Sequence, residues 1–343
     1  MSESTVASKS SSSSERSTRQ IAFLTRHNWP WLRQTDNGAG HHGALTIGLE
    51  PDAGDDWIVV YDDISNPVRS DVPLHRRILF VTEPLGQKRY RSRFTNQFGT
   101  IVSPYRVPGF RGRWVISHPA INWFYGVRFG NDGKATSRIG LTELREMPVP
   151  ADKAKRISVV CSTKAKLPRQ RARLRLIERL TQAFPDAIDV FGKGFRTISD
   201  KADVIAPYRY HLALENNDCP HFWTEKLADA YLGYTLPIFS GCRNVVDYFP
   251  ERSMIPLFDI EDHEKAVSSI GELLEQDPWA ERLDAIRVAR TNLIERENLF
   301  SLIARLTEDD VDVAAPSQGD KQIRPGSQCG MISSILRGLG RSR

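Results

Sequence analysis

"RYHLALENNDCPHFWTEKLADAYLGYTLPIFSG", residues 209–241, decides the fold. An apolar run ends in the polar "ENN" at 215–217, a small-residue helix is predicted from Thr224 to a stop at Gly233, and a second apolar run fills 235–241. Strand, helix and strand in that order make a βαβ unit, whose strands pair in parallel because a helix carries the chain back across the sheet. Ligands of such sheets bind beyond the carboxyl ends of the strands, which is where "ENN" falls. Glu225 and Lys226 then stand side by side at the helix entrance, where free backbone N–H groups and the positive end of the helix dipole favour an anion. A phosphate beside Lys226 and a ribose diol on Glu225 would suit this pattern. A plainly capped helix, with Thr224 as N-cap and Glu225 complementing the dipole, would suit it equally.

The pattern repeats on both sides. Upstream, "RISVVCS" (156–162), the amphipathic "PRQRARLRLIERLTQAF" (168–184) and "AIDVFG" (187–192) read as strand, helix and strand, and further helices are predicted over 263–276 and 279–306. Nearer the start, "QIAFLT" (20–25), "DWIVVYDD" (56–63), "RILFVTEP" (77–84) and "TIVSPY" (100–105) read as buried parallel strands. "YRSRFTNQFG" (90–99) reads as a helix stopped by Gly99. "TELREMPVPADKAKR" (142–156), rich in charge and proline, reads as the linker between two α/β domains. The predicted division is a disordered Ser-rich leader over 1–19, one domain over 20–150, a second over 151–306 and a loosely ordered tail over 307–343 in which "CGMISSILRGLGRSR" has the pattern of a short basic amphipathic helix.

Composition narrows the function classes. The 343 residues carry a net charge of +5, concentrated in local clusters such as "KRYRSR" (88–93) and "RQRARLR" (169–175) rather than spread evenly. Such clusters attract phosphates or anionic surfaces, but the chain shows no interleaved aromatic platform or motif of a nucleic-acid binder. The four cysteines form no CxxC pair, so neither a disulfide framework nor a zinc cage is expected. Histidine spacing offers no metal site, no GxSxG occurs, and the pairs Asp55-Asp56 and Asp62-Asp63, neither of them a DxD motif, read as loop charges. No apolar run is long enough for a signal peptide or a spanning helix, which points to a cytoplasmic protein. On the helix 168–184, Arg173 shares the inward face of Ile177 and Leu180, while Arg171, Arg175 and Arg179 lie opposite. A charge on a packed face needs a partner, either a protein carboxylate or a ligand phosphate.

The stretch 208–241 followed by "VVDYFPERSMI" (245–255) resembles the α-1,3-fucosyltransferase signature of glycosyltransferase family 10: Tyr-basic-aromatic strand, Glu-Asn, an aromatic, Thr-Glu-Lys, a small-residue helix, a Pro-containing strand and Gly. "ISVVCSTK" (157–164) and "DVFGKGF" (189–195) are similar to the family as well, and "RRILFVTEPLGQKRY" (76–90) with "HPAINWFYG" (118–126) resembles the acceptor-side domain of soluble bacterial members. The resemblance implies a GT-B-type fold, two Rossmann-like domains facing a central cleft, and an inverting transfer of L-fucose from GDP-fucose to a saccharide acceptor without an essential metal. It implies Arg173 and Lys226 at the diphosphate, with Arg171 as the alternative to Arg173, Glu225 at the ribose and Asn216 near the sugar. It also implies Glu83 as the catalytic base, and Phe222 where relatives can have tyrosine. A different nucleotide sugar, or a scaffold that binds one without turnover, fits the same residues. Family members of this kind act on surface polysaccharide precursors in the cytoplasm, with peripheral contact to the inner membrane leaflet as a further expectation.

Overall fold

Runs such as "WIVVY" and "YHLAL" have no polar face, so their strands must be covered on both sides, and the chain builds two parallel sheets to do so. The computed structural model describes residues 18–84, 86–130, 132–308 and 321–330; the expectations for the leader and for the basic end of the tail lie outside them. In the first sheet, β1 (Arg19–Thr25), β2 (His41–His42), β3 (Leu45–Gly48) and β4 (Trp57–Tyr61) are followed, after the outlying β5 (Val68–Arg69), by β6 (Arg77–Phe80), β7 (Thr100–Ser103) and β8 (Arg113–Ile116). Their order is β2-β3-β1-β4-β6-β7-β8, with only the β2–β3 pair antiparallel. The helix expected over 90–99 shrinks to a single turn, α1 (Ser92–Thr95). Phe94 and Phe98 are buried there, and Gly99 sits where a Cβ would lie 2.4 Å from the Leu74 carbonyl oxygen.

A small hairpin, β9 (Val127–Phe129) with β10 (Ala135–Ser137), leads to α2 (Leu141–Glu146). The second sheet contains β11 (Lys155–Val160), β12 (Ile188–Phe191), β13 (Tyr208–Leu214), β14 (Leu236–Ser240) and β15 (Ile255–Pro256), all parallel, in the order β12-β11-β13-β14-β15. Around it lie α3 (Pro168–Ala183), α4 (Ala202–Ile205), α5 (Glu225–Leu232), α6 (His263–Gln276) and α7 (Leu283–Glu295), and then α8 (Leu299–Glu308). In each sheet the strand order reverses at one point, between β1 and β4 in the first and between β11 and β13 in the second. Adjacent loops diverge there and leave a crevice.

Three expectations are corrected. The proposed linker begins as α2, because Leu141 and Leu144 are buried in the second core together with Trp123 and Tyr125. The helix predicted over 279–306 breaks at Arg296–Asn298: the Asn298 side chain accepts from Phe300 N and donates to the Gln34 carbonyl. α8 thereby lodges in the first core, with Phe300 5.6 Å from Phe23, ring to ring. Part of the tail is also tied down, since β16 (Gln322–Ile323) pairs with β5 and Gly326 N donates to Asp63. Among the described residues no helix is long and apolar enough to cross a membrane.

Candidate active site

At the switch point of the second sheet, β11 ends in Cys161-Ser162 and β13 ends in Glu215-Asn216. Gly192, at the end of β12, closes against the first of these: a Cβ there would lie 2.1 Å from the Cys161 carbonyl oxygen, and its φ of +115° favours glycine. Helix α3 starts with Pro168 at its first turn, where a missing N–H costs nothing. The Gln170 side chain accepts from Lys166 N and Leu167 N, which fixes the loop entering the helix.

One turn further on, Arg173 enters the crevice. It is 5% exposed, donates to Asn216 Oδ1 at 2.9 Å and reaches the Ser162 carbonyl. No carboxylate holds it, and its buried Nε has no hydrogen-bond partner among the described residues. Arg171 instead folds onto its own loop, donating to the carbonyls of Ala165 and Lys166. Arg169, which sequence reasoning passed over, joins the ends of β13 and β14 through the Glu215 carbonyl and Ser240 Oγ.

The mouth of α5 differs from the expectation. Its N-terminal groups are already served by Glu215, a fully buried carboxylate that accepts from Thr224 N and Thr224 Oγ1 at 2.7 Å. Glu215 thus braces the N-cap of α5 from the preceding strand, beside the place expected for a ligand phosphate. Lys226 is pinned over it, with Nζ 3.3 Å from Glu215, 3.0 Å from Thr224 Oγ1 and 3.2 Å from Glu225. Burial pushes the Glu225 carboxyl up, but Lys226 and Lys201 outweigh that and hold it at about 2. Burial would lower Lys226, and Glu215 and Glu225 more than reverse this, so it remains a cation. Lys201 continues the network to Asp229 at 2.7 Å, and Asp229 accepts from the backbone of Phe124 and Tyr125. Phe222 is 4% exposed, which leaves almost no ring surface open to a ligand. Burial raises the thiol pKa of Cys161, and the Arg173 and Lys226 charges oppose it.

The first sheet brings its own polar cluster to the same place. Asp62 follows β4 at the switch point, in a left-handed backbone conformation (φ 68°). It is 1% exposed and accepts from Lys88 Nζ at 2.7 Å and Tyr90 OH at 2.5 Å, with Arg26 and His27 on its other oxygen. Burial opposes its ionisation, but the His27 hydrogen bond and the Lys88 ammonium outweigh burial and hold its pKa far below the carboxylate range. Asp62-Asp63, like Asp55-Asp56, lie in a loop between strands, but Asp62 and Asp63 are buried there.

Glu83 follows β6, one strand over. Gln87 donates to its carboxylate, and Tyr105 OH donates to its backbone carbonyl at 2.7 Å. Burial and Asp62 raise its pKa, and Lys88, His27 and Lys226 pull it back. Across the two sheets, the Lys226 charge opposes the rise in the pKa of Glu83, and the Glu225 charge adds to burial in raising that of Tyr61 at the end of β4. Asp62, Lys88, Tyr90, Tyr105, Glu215 and Lys201 were missed from sequence. Only Asp62 and Glu215 carried a signal, a polar residue directly after a buried strand. Among the described residues no group of three or more His, Cys, Asp or Glu side chains is placed to hold a metal ion.

Comparison with known proteins agrees with the signature. Residues 151–280 match the family profile "Glycosyltransferase family 10 (fucosyltransferase) C-term". An α-(1,3)-fucosyltransferase of Helicobacter pylori is 29% identical over 76 residues, which cover 22% of this chain and 16% of that protein's length. Among solved structures, an α1,3-fucosyltransferase with GDP-fucose superposes with a TM-score of 0.46 at 17% identity, covering 90% of this chain and 95% of that one. A second, with GDP, gives 0.44 at 16% identity, covering 81% and 84%.

Proposed function

We propose that the chain is an inverting glycosyltransferase that moves L-fucose from GDP-fucose to a hydroxyl of a saccharide acceptor. The observation that carries this reading is Arg173: a guanidinium sunk at the switch point of a parallel sheet, held by an amide rather than a carboxylate, with one buried N–H unused. A buried unpaired donor costs about 1–3 kcal/mol, and a diphosphate oxygen on the planar fork of Arg173 would repay it. The C-terminal-domain match over 151–280 supports the donor class.

In the proposed reaction the acceptor oxygen attacks the anomeric carbon on the face opposite the diphosphate. The bond to the leaving oxygen breaks with its electron pair going to GDP, and Glu83 takes the hydroxyl proton. Arg173 and Lys226 stabilise the charge growing on the diphosphate. An ammonium has three N–H donors, and those of Lys226 face Glu215, Thr224 and Glu225. Donor binding on this reading therefore exchanges the Lys226–Glu225 contact for two others, Lys226 to phosphate and Glu225 to the ribose hydroxyls. Asn216, freed or shared by Arg173, lies beside the sugar.

Calorimetry with GDP tests the site. Arg173→Lys, which keeps the charge and loses the fork, should weaken GDP at least about tenfold, an energy of about 1.4 kcal/mol, and Glu225→Gln should do the same. Unchanged affinity in both variants sinks the assignment. Thermal shift against GDP-fucose, GDP-mannose and UDP-glucose settles the sugar nucleotide, because preferential binding raises Tm, and release of GDP from GDP-fucose separates an enzyme from a binding scaffold.

A further inference from the structure

Beside Glu83 lies a cavity of about 1270 Å³ that the donor site does not use. It exceeds the roughly 300–1,000 Å³ of a pocket for a drug-sized ligand, so it has room for more than one sugar ring. Lys88, Arg89, Arg91 and Arg93 line it, with no carboxylate among its lining residues. Lys88 is paired with Asp62. The three arginines are exposed and make no ion pair among the described residues. Two further lining residues tie the cavity to the chemistry: Gln87 donates to the Glu83 carboxylate, and the hydroxyl of Tyr105 donates to the Glu83 carbonyl.

From this geometry we infer that the cavity is the acceptor site and that the acceptor is anionic: a saccharide bearing a phosphate or diphosphate ester, seated on Arg89, Arg91 and Arg93 with a hydroxyl of its sugar presented to Glu83. Three guanidiniums with no ion pair among the described residues exceed what a single carboxylate of an acidic sugar can satisfy, and a phosphate offers several oxygens and more than one charge. The absence of any acid in the lining removes the repulsion such a ligand would meet. This inference rests on the proposed role of Glu83, but the arginines can be tested without turnover.

The test uses the full chain saturated with GDP, so that added phosphates cannot enter the donor site. N-Acetylglucosamine 1-phosphate is titrated into it and into the Arg89→Gln/Arg91→Gln/Arg93→Gln variant by calorimetry, with N-acetylglucosamine and glucuronic acid as comparisons. All three substitutions are at exposed positions and should leave the GDP titration unchanged, which checks that the variant is folded. The phosphosugar should bind the parent chain, bind the variant at least about tenfold more weakly, and weaken with added salt as exposed charge pairs do. N-Acetylglucosamine should bind poorly to both. Equal phosphosugar affinity in parent and variant overturns the inference, as does glucuronic acid binding as tightly as the phosphosugar. A third overturning result is loss of binding to vesicles of phosphatidylglycerol in the variant with no change in phosphosugar affinity, which would assign the arginines to a membrane surface. Failure of GDP to bind the parent chain would instead strike the donor reading, and phosphosugar binding by the GDP-free chain would still report on the cavity.

Discussion

Burial and the nearby Asp62 carboxylate raise the pKa of Glu83, with Lys88, His27 and Lys226 opposing them. A carboxyl group raised in the folded state stabilises the fold fully only below its unfolded pKa, about 4.3, and that stability is lost as pH rises through the folded value. At pH 8 the ionised Glu83 therefore works against folding, as expected of a group kept for chemistry. Glu83→Gln should melt no lower than the parent at pH 8 and should bind GDP with about the same affinity. Turnover should drop about a hundredfold or more, the scale for a positioned base. In the parent, kcat/KM should fall on acidification through a pKa above the usual glutamate value, since the base must be ionised to accept a proton. A variant that loses several degrees of Tm and keeps its turnover would make Glu83 a structural brace instead.

Helix α3 shows what is and is not legible at the scale of an element. Arg173, Ile177 and Leu180 fall on one face by spacing alone, so the inward turn of Arg173 could be read from sequence, and the structure shows all three buried. The role of Glu215 could not be read. Its place after the strand is visible, but whether its carboxylate turns to solvent, to a ligand or onto the mouth of α5 depends on packing between β13 and α5. The same limit hid Gln170, an ordinary polar residue whose side chain closes the loop that enters α3. Gln170→Ala removes both bonds, and loss of a helix-start cap costs about 0.5–2 kcal/mol, or roughly 2–4 °C of Tm per kcal/mol in a domain of this size. Because Arg173 stands one turn along, GDP affinity should fall as well, although Gln170 has no contact with the proposed ligand. Differential scanning calorimetry and a GDP titration on one sample check both effects, and a lowered Tm with unchanged GDP affinity would separate the cap from the site.

Across the whole molecule, the alternation of strands and helices predicted two α/β units, but their boundary was not readable, because an apolar stripe tells a helix to bury itself without saying against which sheet. Trp123, Tyr125, Leu141 and Leu144 join the second core ahead of the proposed boundary, and α8 returns to the first. Buried histidines His118 and His42 stand at these crossings, and a third, His211, lies inside the second sheet. His118 Nε2 lies 3.1 Å from Glu297, and its ring stacks 4.1 Å from Trp223 of the other domain. His42 Nε2 lies 2.8 Å from Ser301 of α8, and His211 Nδ1 lies 2.8 Å from Ser158 between β13 and β11. Burial lowers all three pKa values, that of His211 to about 3; for His118 it outweighs the hydrogen bond and charge of Glu297, which raise it, and the Arg305 and His221 charges, which lower it further. A histidine kept neutral in the fold binds its proton only on unfolding, so stability is complete above the unfolded pKa of about 6.5 and drains as pH falls below it. The loss is up to about 1.4 kcal/mol per pH unit for each imidazole. Thermal melts from pH 6.5 to pH 5 should therefore fall, apart from a separate loss between pH 8 and about pH 7 owed to Lys153, which burial holds at about 7. His118→Asn should soften the fall, because one proton-linked group is gone, while Glu297→Gln should steepen it by removing the carboxylate that favours the protonated ring. A Tm that stays level from pH 6.5 to pH 5, or an unaltered slope in His118→Asn, would mean that these buried histidines do not set the acid stability of the fold.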